Sequence, residues 1–437
     1  MSEAIEIALA PERLDEGSDE ERACFGLFTI RCGVSELTAG LDHFTSSYRA
    51  GPLVSGYHVG KWLAWNWWRL RYEPRSSSPQ WWRAHTMTAI GEGYVWPNLT
   101  IHSDGVRTIL NAKPSVRADA KPFRYFGSVA PVVVPSMMFE DAVDAFIPRL
   151  LARLRDRGVP ETNLDRLWRD VLAERTDPAL AKRRRLEALL GRDADEMEDG
   201  AVDGLISDSA LVGDDAVSEL AAEKANGGVL LTAANIEDIA ARSGVDASLR
   251  DVVGLQHRGA IQLDASEPAW RVGAKSARVL RAEQGLGDGP ILDERLAGLA
   301  GVGRMVLEKD ATGATLSFSL ERNPTVGRVV LRSRWKSGRR FELARLLGDR
   351  VSAPRGERLR CATRAYTYRQ QMQRAFAAEF LSPFDAVDAM LAGDFSIEAQ
   401  EDAARHFQVS PLTIRTLLVN HKRLDREELQ EDVEDAA

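Results

Sequence analysis

The sequence predicts an α+β protein, mainly helical, with its helices packed on small sheets. Three observations carry that expectation. Aromatic and β-branched segments recur near residues 24–33, 94–110 and 313–333. The longer stretches between them repeat apolar residues every three or four positions. Turn and capping residues separate the two kinds of segment. At 437 residues the chain exceeds one ordinary core, so two or three domains are expected.

The first of these, residues 1–134, reads as an α+β unit rich in Trp. After an acidic start expected to be disordered, "CFGLFTIRCG" (24–33) reads as a strand. A helix fits Tyr57 to Tyr72, where Val59, Leu63, Trp67 and Leu70 make one apolar stripe and Trp62 and Trp65 a second. Such a helix is expected to be buried. Ser103-Asp104-Gly105 is turn chemistry between two alternating segments, which predicts a strand pair over 94–110.

Residues 135–266 read as helical. Ser136 is placed to cap a helix whose face is Phe139, Val143, Phe146, Leu150 and Leu154, with Gly158 as its stop. Pro148 predicts a kink or break within it. Further helices fit Leu164 to Glu174 and Pro178 to Leu190. Residues 193–223 hold many acids and no Lys or Arg, so 193–228 reads as a loosely packed segment or linker.

From residue 267 the order becomes helix, strands, helices. Ser276 to Val302 is helical with a Gly- and Pro-containing break, and 313–333 gives two strands joined at Asn323-Pro324-Thr325. Helices follow over 339–351 and 366–381. Ser382-Pro383, with Asp385, starts another, and Ser410-Pro411 starts the last. An acidic tail occupies 426–437.

Composition narrows function. The net charge of -8 disfavours nucleic acid as a default partner, and no apolar run is long enough for a membrane span. Cys24, Cys32 and Cys361 are odd in number and widely spaced, which argues against a disulfide framework or a cysteine zinc site. A cytoplasmic location is expected, and no cofactor is implied. The histidines at 43, 58, 85, 102, 257, 406 and 421 show no ligand spacing. Trp81-Trp82 and the Trp-rich helix could form a stacking surface, although Trp at helical spacing is more often core.

Three motifs in the last third carry a resemblance. The first is "RRFELARLLGDRV" (339–351), with Arg340, Phe341, Leu343, Ala344, Leu347 and Gly348. The second is Phe376-Ala377-Ala378-Glu379-Phe380-Leu381-Ser382-Pro383, and the third is Phe407-Gln408-Val409-Ser410. On these, residues 270–425 resemble the ImmA/IrrE family of small zinc metallopeptidase domains, which implies a zincin-like domain over 267–425. The family carries H-E-x-x-H on its first motif helix, two histidines four apart on one metal with a glutamate to activate its water. Here the matching positions are Arg345, Leu346 and Asp349, and the third-ligand position falls near Gln370 or Met372. The resemblance therefore implies a scaffold that has lost its zinc site and its peptidase activity.

Arg345 and Asp349, four apart, are expected to pair across the former metal site, extended by Glu342 or Gln370, unless both are simply solvated. Arg364, Tyr366, Arg369, Gln373 and Glu379 are candidate lining for a ligand pocket, with arginines suited to an anion. Three functional classes follow. One is a pseudopeptidase acting through a protein partner, such as the helix-turn-helix repressors that intact relatives cleave, in bacterial regulation, stress response or mobile-element control. Another is an enzyme with a rebuilt site around Glu342, Arg345, Asp349, Tyr366 and Arg369. The last is a DNA-binding regulator using helix-turn-helix candidates at 235–253 and 401–424.

Overall fold

The computed structural model describes residues 4–115, 122–128, 130–197, 199–255, 266–308, 313–352 and 357–425, the side chain of residue 199 excepted. Two compact units form, one within Met1–Ile206 together with Ala365–Thr367, the other within Ser207–Arg364 and Tyr368–Ala437. The fold is α+β and mainly helical. The expected acidic tail, 426–437, and His257 lie outside the described residues.

The first unit opens with a strand where disorder was expected. β1 (Ile5–Pro11) precedes α1 (Asp19–Ala23) and β2 (Phe25–Cys32). β1 pairs antiparallel along β2 from Ile5 opposite Cys32 to Pro11 opposite Gly26. Ile5 and Ile7, two apart, fall on one face and are buried, which anchors the acidic start. Ser18 and Glu21 form a capping box that starts α1.

Short strands follow: β3 (Ser35–Glu36), β4 (Gly40–Asp42), β5 (Ser47–Arg49) and β6 (Leu53–Ser55). β3 and β6 both pair with β2. The expected helix over 57–72 is two, α2 (Gly56–Trp65) and α3 (Trp67–Tyr72), because Asn66 leaves helical geometry and turns its amide back onto the Trp62 carbonyl. Trp62, Trp67 and Leu70 are buried, whereas Trp65 faces outward. After α4 (Pro79–His85) come β7 (Asn98–Ser103) and β8 (Arg107–Lys113), the expected pair. Asp104 closes their turn by accepting from the Val106 and Arg107 amides. β9 (Phe123–Tyr125) pairs with β4, and β10 (Val132–Pro135) with β8.

No packing boundary falls near residue 134. α5 (Ser136–Asp156) places Phe139, Val143, Phe146, Leu150 and Leu154 in the same core as β1, β2 and α2, joined by α6 (Asn163–Thr176). α5 runs unbroken through Pro148. Ser136 does not cap it; its hydroxyl instead meets that of Thr108 at 3.1 Å. α7 (Pro178–Leu189) follows, capped by Asp177.

The acidic stretch read as a linker is largely helix, α8 (Asp199–Val212) and α9 (Asp214–Ala225). Ala216, Val217, Leu220 and Ala221 recur at helical spacing and are buried, so apolar packing outweighs the charge run. α10 (Ala233–Ser243) leads into β11 (Val245–Ser248), α11 (Ala269–Glu283), α12 (Asp293–Leu299), β12 (Ser317–Glu321) and β13 (Val326–Val330). Then come α13 (Lys336–Ser352), β14 (Leu359–Ala362), α14 (Tyr368–Leu381), α15 (Phe384–Leu391), α16 (Ile397–Phe407) and α17 (Pro411–Asn420). The sheet of this unit runs β11-β13-β12-β14, antiparallel throughout, with β14 at an edge.

α13 and α14 pack closely on one another and on α11. A Cβ on Gly348 would lie 2.4 Å from the Phe376 ring, and one on Gly273 would lie 2.3 Å from the Met372 carbonyl oxygen. Glycine at these two positions lets the helices approach. α15 begins one residue later than expected, with Pro383 as its cap and Ser382 donating back to Ala378. α17 starts as expected, Ser410 accepting from the Thr413 amide.

Candidate functional site

The site follows from the contact between α13 and α14. The apolar side of α13 sinks Leu343, Leu346 and Leu347 into the core of the second unit. Its other buried side carries Glu342, Arg345 and Asp349, spaced three and four apart. α14 brings Arg369, Gln370 and Gln373 to the same place, and β14 supplies Arg360 and the Cys361 carbonyl. Positions 345, 349 and 370, singled out by the resemblance, therefore converge.

Arg345 and Asp349 are both buried but do not pair with each other, correcting both the expected ion pair and the solvated alternative. Asp349 accepts from Arg369 through both oxygens, Nε to Oδ1 and Nη2 to Oδ2, each at 2.6 Å. Gln373 Nε2 donates to Oδ1 at 2.9 Å, and Arg360 Nη1 stands 3.6 Å from Oδ2. Burial raises the proton affinity of Asp349, yet the Arg369 and Arg360 charges and the Gln373 bond hold its carboxyl below the usual range. Burial likewise opposes the Arg369 charge, but Asp349 and Glu357, the latter at 2.6 Å, bind that proton more firmly than water would.

Arg345 turns the other way. Its Nη2 donates to the Thr363 carbonyl at 2.6 Å and to Gln370 Oε1 at 2.5 Å. Its Nε has no hydrogen-bond partner among the described residues. Burial, with the charges of Arg374 and Arg332, presses its proton affinity down to about 9. Gln370 is fully committed: Oε1 also accepts from the Thr363 amide at 2.9 Å, and Nε2 donates to the Cys361 carbonyl at 3.0 Å.

The remaining candidates separate. Glu342 accepts from the Ser333 amide at 3.0 Å and lies 3.7 Å from Arg332. Glu379 accepts from Arg278 at 2.7 Å and faces the first amide of α15, a structural role away from Asp349. Arg364 contributes its backbone: its amide donates to Glu223 on α9 at 2.5 Å, and its carbonyl accepts from Arg374 at 2.9 Å. Tyr366 is more than half exposed and lies in the segment 365–367 that clusters with the first unit. Met372 is buried with Ala269, Val272 and Tyr368.

Arg360, Glu357 and Glu219 were not foreseen. Glu219, on α9, sits near enough to Arg345 and Arg369 to favour both charges. Its signal was the apolar spacing of α9, masked by surrounding acids. Glu357 is pushed up by burial, against the pull of Arg369, and its protonated form is further favoured by the hydrogen bond it donates to Asp215.

These residues do not fit a zinc ion. Arg345 is a cation, Leu346 is apolar core, and the one potential ligand, Asp349, has both oxygens bonded to Arg369. Of the cluster's reactive groups, Cys361 and Asp349 are both held in unreactive forms. The Cys361 thiol is pushed well up by burial, and a carboxylate clamped by arginine is a weak base. Among the described residues, no group of three or more His, Cys, Asp or Glu side chains could hold a metal ion.

The helix-turn-helix candidates also change. The second half of the first is the strand β11, paired with β13, so it offers no second helix. The second candidate is α16 and α17, but its basic end is engaged: His421 stacks on Phe384 at 3.6 Å and Arg423 pairs with Asp388 at 2.8 Å. Half of the ten tryptophans are core, Trp62, Trp67, Trp81, Trp96 and Trp168 being buried, while Trp65, Trp82 and Trp335 are exposed. Among the described residues no helix is long and apolar enough to cross a membrane. Comparison with protein-family models, curated proteins and solved structures finds no match.

Proposed function

We propose that this chain is a cytoplasmic regulatory protein that binds a protein partner, its second unit being an ImmA/IrrE-like scaffold without peptidase chemistry. The observation that carries this reading is the commitment of positions 345, 349 and 370. All three converge between α13 and α14, and each is bonded to protein groups. Convergence supports descent from a site-bearing scaffold, and the identities of the side chains support the loss of hydrolysis. A helix-turn-helix repressor is the partner class this reading favours, because intact relatives act on such proteins.

Titration calorimetry against a helix-turn-helix protein encoded beside this chain tests it, with both chains followed by mass spectrometry. Saturable binding with both chains intact is the expected result. Cleavage of that protein would overturn the reading.

A further inference from the structure

We propose that His58 and Glu92 form a pH-sensitive latch, which holds the loop Gly91–Gly93 against α2 when the His58 ring is protonated. The latch lies in the first unit and does not depend on the ImmA/IrrE-like reading of the second.

The loop is set apart by its backbone. Gly91, Glu92 and Gly93 have φ of 70°, 56° and 78°, three left-handed residues in a row. Glutamate carries a Cβ and disfavours that region, so its place there needs a compensating contact. The flanking residues do not supply one, since a Cβ on Gly91 or Gly93 would meet nothing within 4 Å. Trp96 Nε1 donates to the Gly91 carbonyl at 2.7 Å, which ties the backbone before Glu92 and leaves the Glu92 side chain to a different neighbour.

That neighbour is His58, a buried residue of α2. Its Nε2 lies 3.0 Å from Glu21 Oε1 on α1. Its Nδ1 is sealed from solvent, has no hydrogen-bond partner among the described residues, and stands 3.9 Å from Glu92 Oε1. The bond with His58 and that from the Ser18 amide hold the Glu21 carboxyl below its usual range. Ionised, Glu21 can only accept, so Nε2 carries the single proton of a neutral His58 ring. Nδ1 then turns a bare lone pair toward a carboxylate, and two acceptors face each other. Protonation reverses this, because Nδ1–H donates toward Glu92 and the contact becomes a charge-assisted one.

The other groups around the ring do not compete for Nδ1. Tyr57 and Tyr94 set their ring centroids 5.8 and 5.9 Å from that of His58, and burial pushes both phenols up, so both stay neutral. Lys61, one turn further along α2, lies over the Tyr57 ring, and the charges of Glu20 and Asp165 bear on Tyr57. Among the described residues Glu21 and Glu92 are the ion-pair partners of His58. The Glu92 side chain is about half exposed, so it can leave for solvent when the ring loses its proton.

Hydrogen–deuterium exchange of the full chain, read on peptides covering 90–96 and corrected for the intrinsic rate at each pH, tests the latch. Measured at about pH 8 and about pH 5.5, on either side of the ordinary imidazole range, protection should rise about fivefold at the lower pH, the upper end for a partly exposed ion pair. Glu92→Gln, at an exposed position, should abolish the rise. Glu161→Gln, which breaks an exposed pair with Arg169, should keep it. Long-range proton–nitrogen NMR spectra should place the proton of the neutral His58 ring on Nε2. Equal protection at both pH values, a rise that survives Glu92→Gln, or a neutral ring protonated on Nδ1 would each overturn the proposal.

Discussion

Replacing Asp349 by Asn should destabilise the second unit far more than removing Arg345. Asp349 is fully buried and accepts two 2.6 Å bonds from Arg369 and one of 2.9 Å from Gln373. Taking one member from a buried ion pair costs roughly 3–5 kcal/mol, because the partner charge stays buried without compensation. Arg369 keeps Glu357 at 2.6 Å, and Asn can still accept one bond, so the lower end, about 3 kcal/mol, is expected. For a unit of this size that lowers the melting temperature by about 6–12 °C. Arg345→Met instead removes a cation that has no acid partner among the described residues, and an apolar group of similar length should cost less than about 1 kcal/mol.

Urea unfolding of the wild type, both single variants and a double-mutant cycle with Arg369→Met provides the assay, read on the transition that reports the second unit. Asp349 should couple strongly to Arg369 and weakly to Arg345. Equal costs for Asp349→Asn and Arg345→Met, or strong coupling between positions 345 and 349, would refute the reasoning.

Other outcomes follow from the same structure. The Asp349 carboxyl sits below its unfolded value, so its contribution is complete above the unfolded range near ~4 and is lost as pH falls through the folded value. The stability difference between wild type and Asp349→Asn should therefore shrink in acid, as pH-dependent urea midpoints would show. Gly348→Ala drives a methyl group into the Phe376 ring and should cost about 1–3 kcal/mol by the same unfolding measurement. Ile7→Ala should destabilise the first unit by about 2–4 kcal/mol, since Ile7 is buried where β1 pairs with β2. A disordered start would show no change. In the same unit Glu73 is buried between Arg69 at 2.7 Å and His85 at 2.9 Å, so Glu73→Gln should cost about 3 kcal/mol in calorimetry.

The long periodic helices α5, α13 and α14 were legible because each repeats apolar residues over several turns. So were the two strand pairs with side-chain-bonded turns, β7 with β8 and β12 with β13. β14 was not, since Leu359–Ala362 is four residues buried on both faces, with no alternation to read. β1 alternates Ile5 and Ile7, but its acidic surroundings resembled a disordered terminus. At the site, motif spacing located positions 345, 349 and 370, and the structure brings them together. Pairing was less legible. Spacing of four along one helix says that two side chains can meet, and nothing about competitors arriving from another helix. Arg369 comes from α14 with a two-bond fork that Arg345, bonded to Thr363 and Gln370, does not match. Likewise the charge run of α9 hid a buried helix that carries Glu219 and Glu223.

The central claim is that a protein-only polar network fills the place where the proposed ImmA/IrrE-like scaffold would hold zinc. Elemental analysis of the full chain, purified without chelator and then titrated with zinc, tests it most directly. The account predicts no tightly held zinc before or after titration, and no loss of melting temperature on adding a chelator. One zinc per chain, removed by chelator with loss of stability, would contradict it.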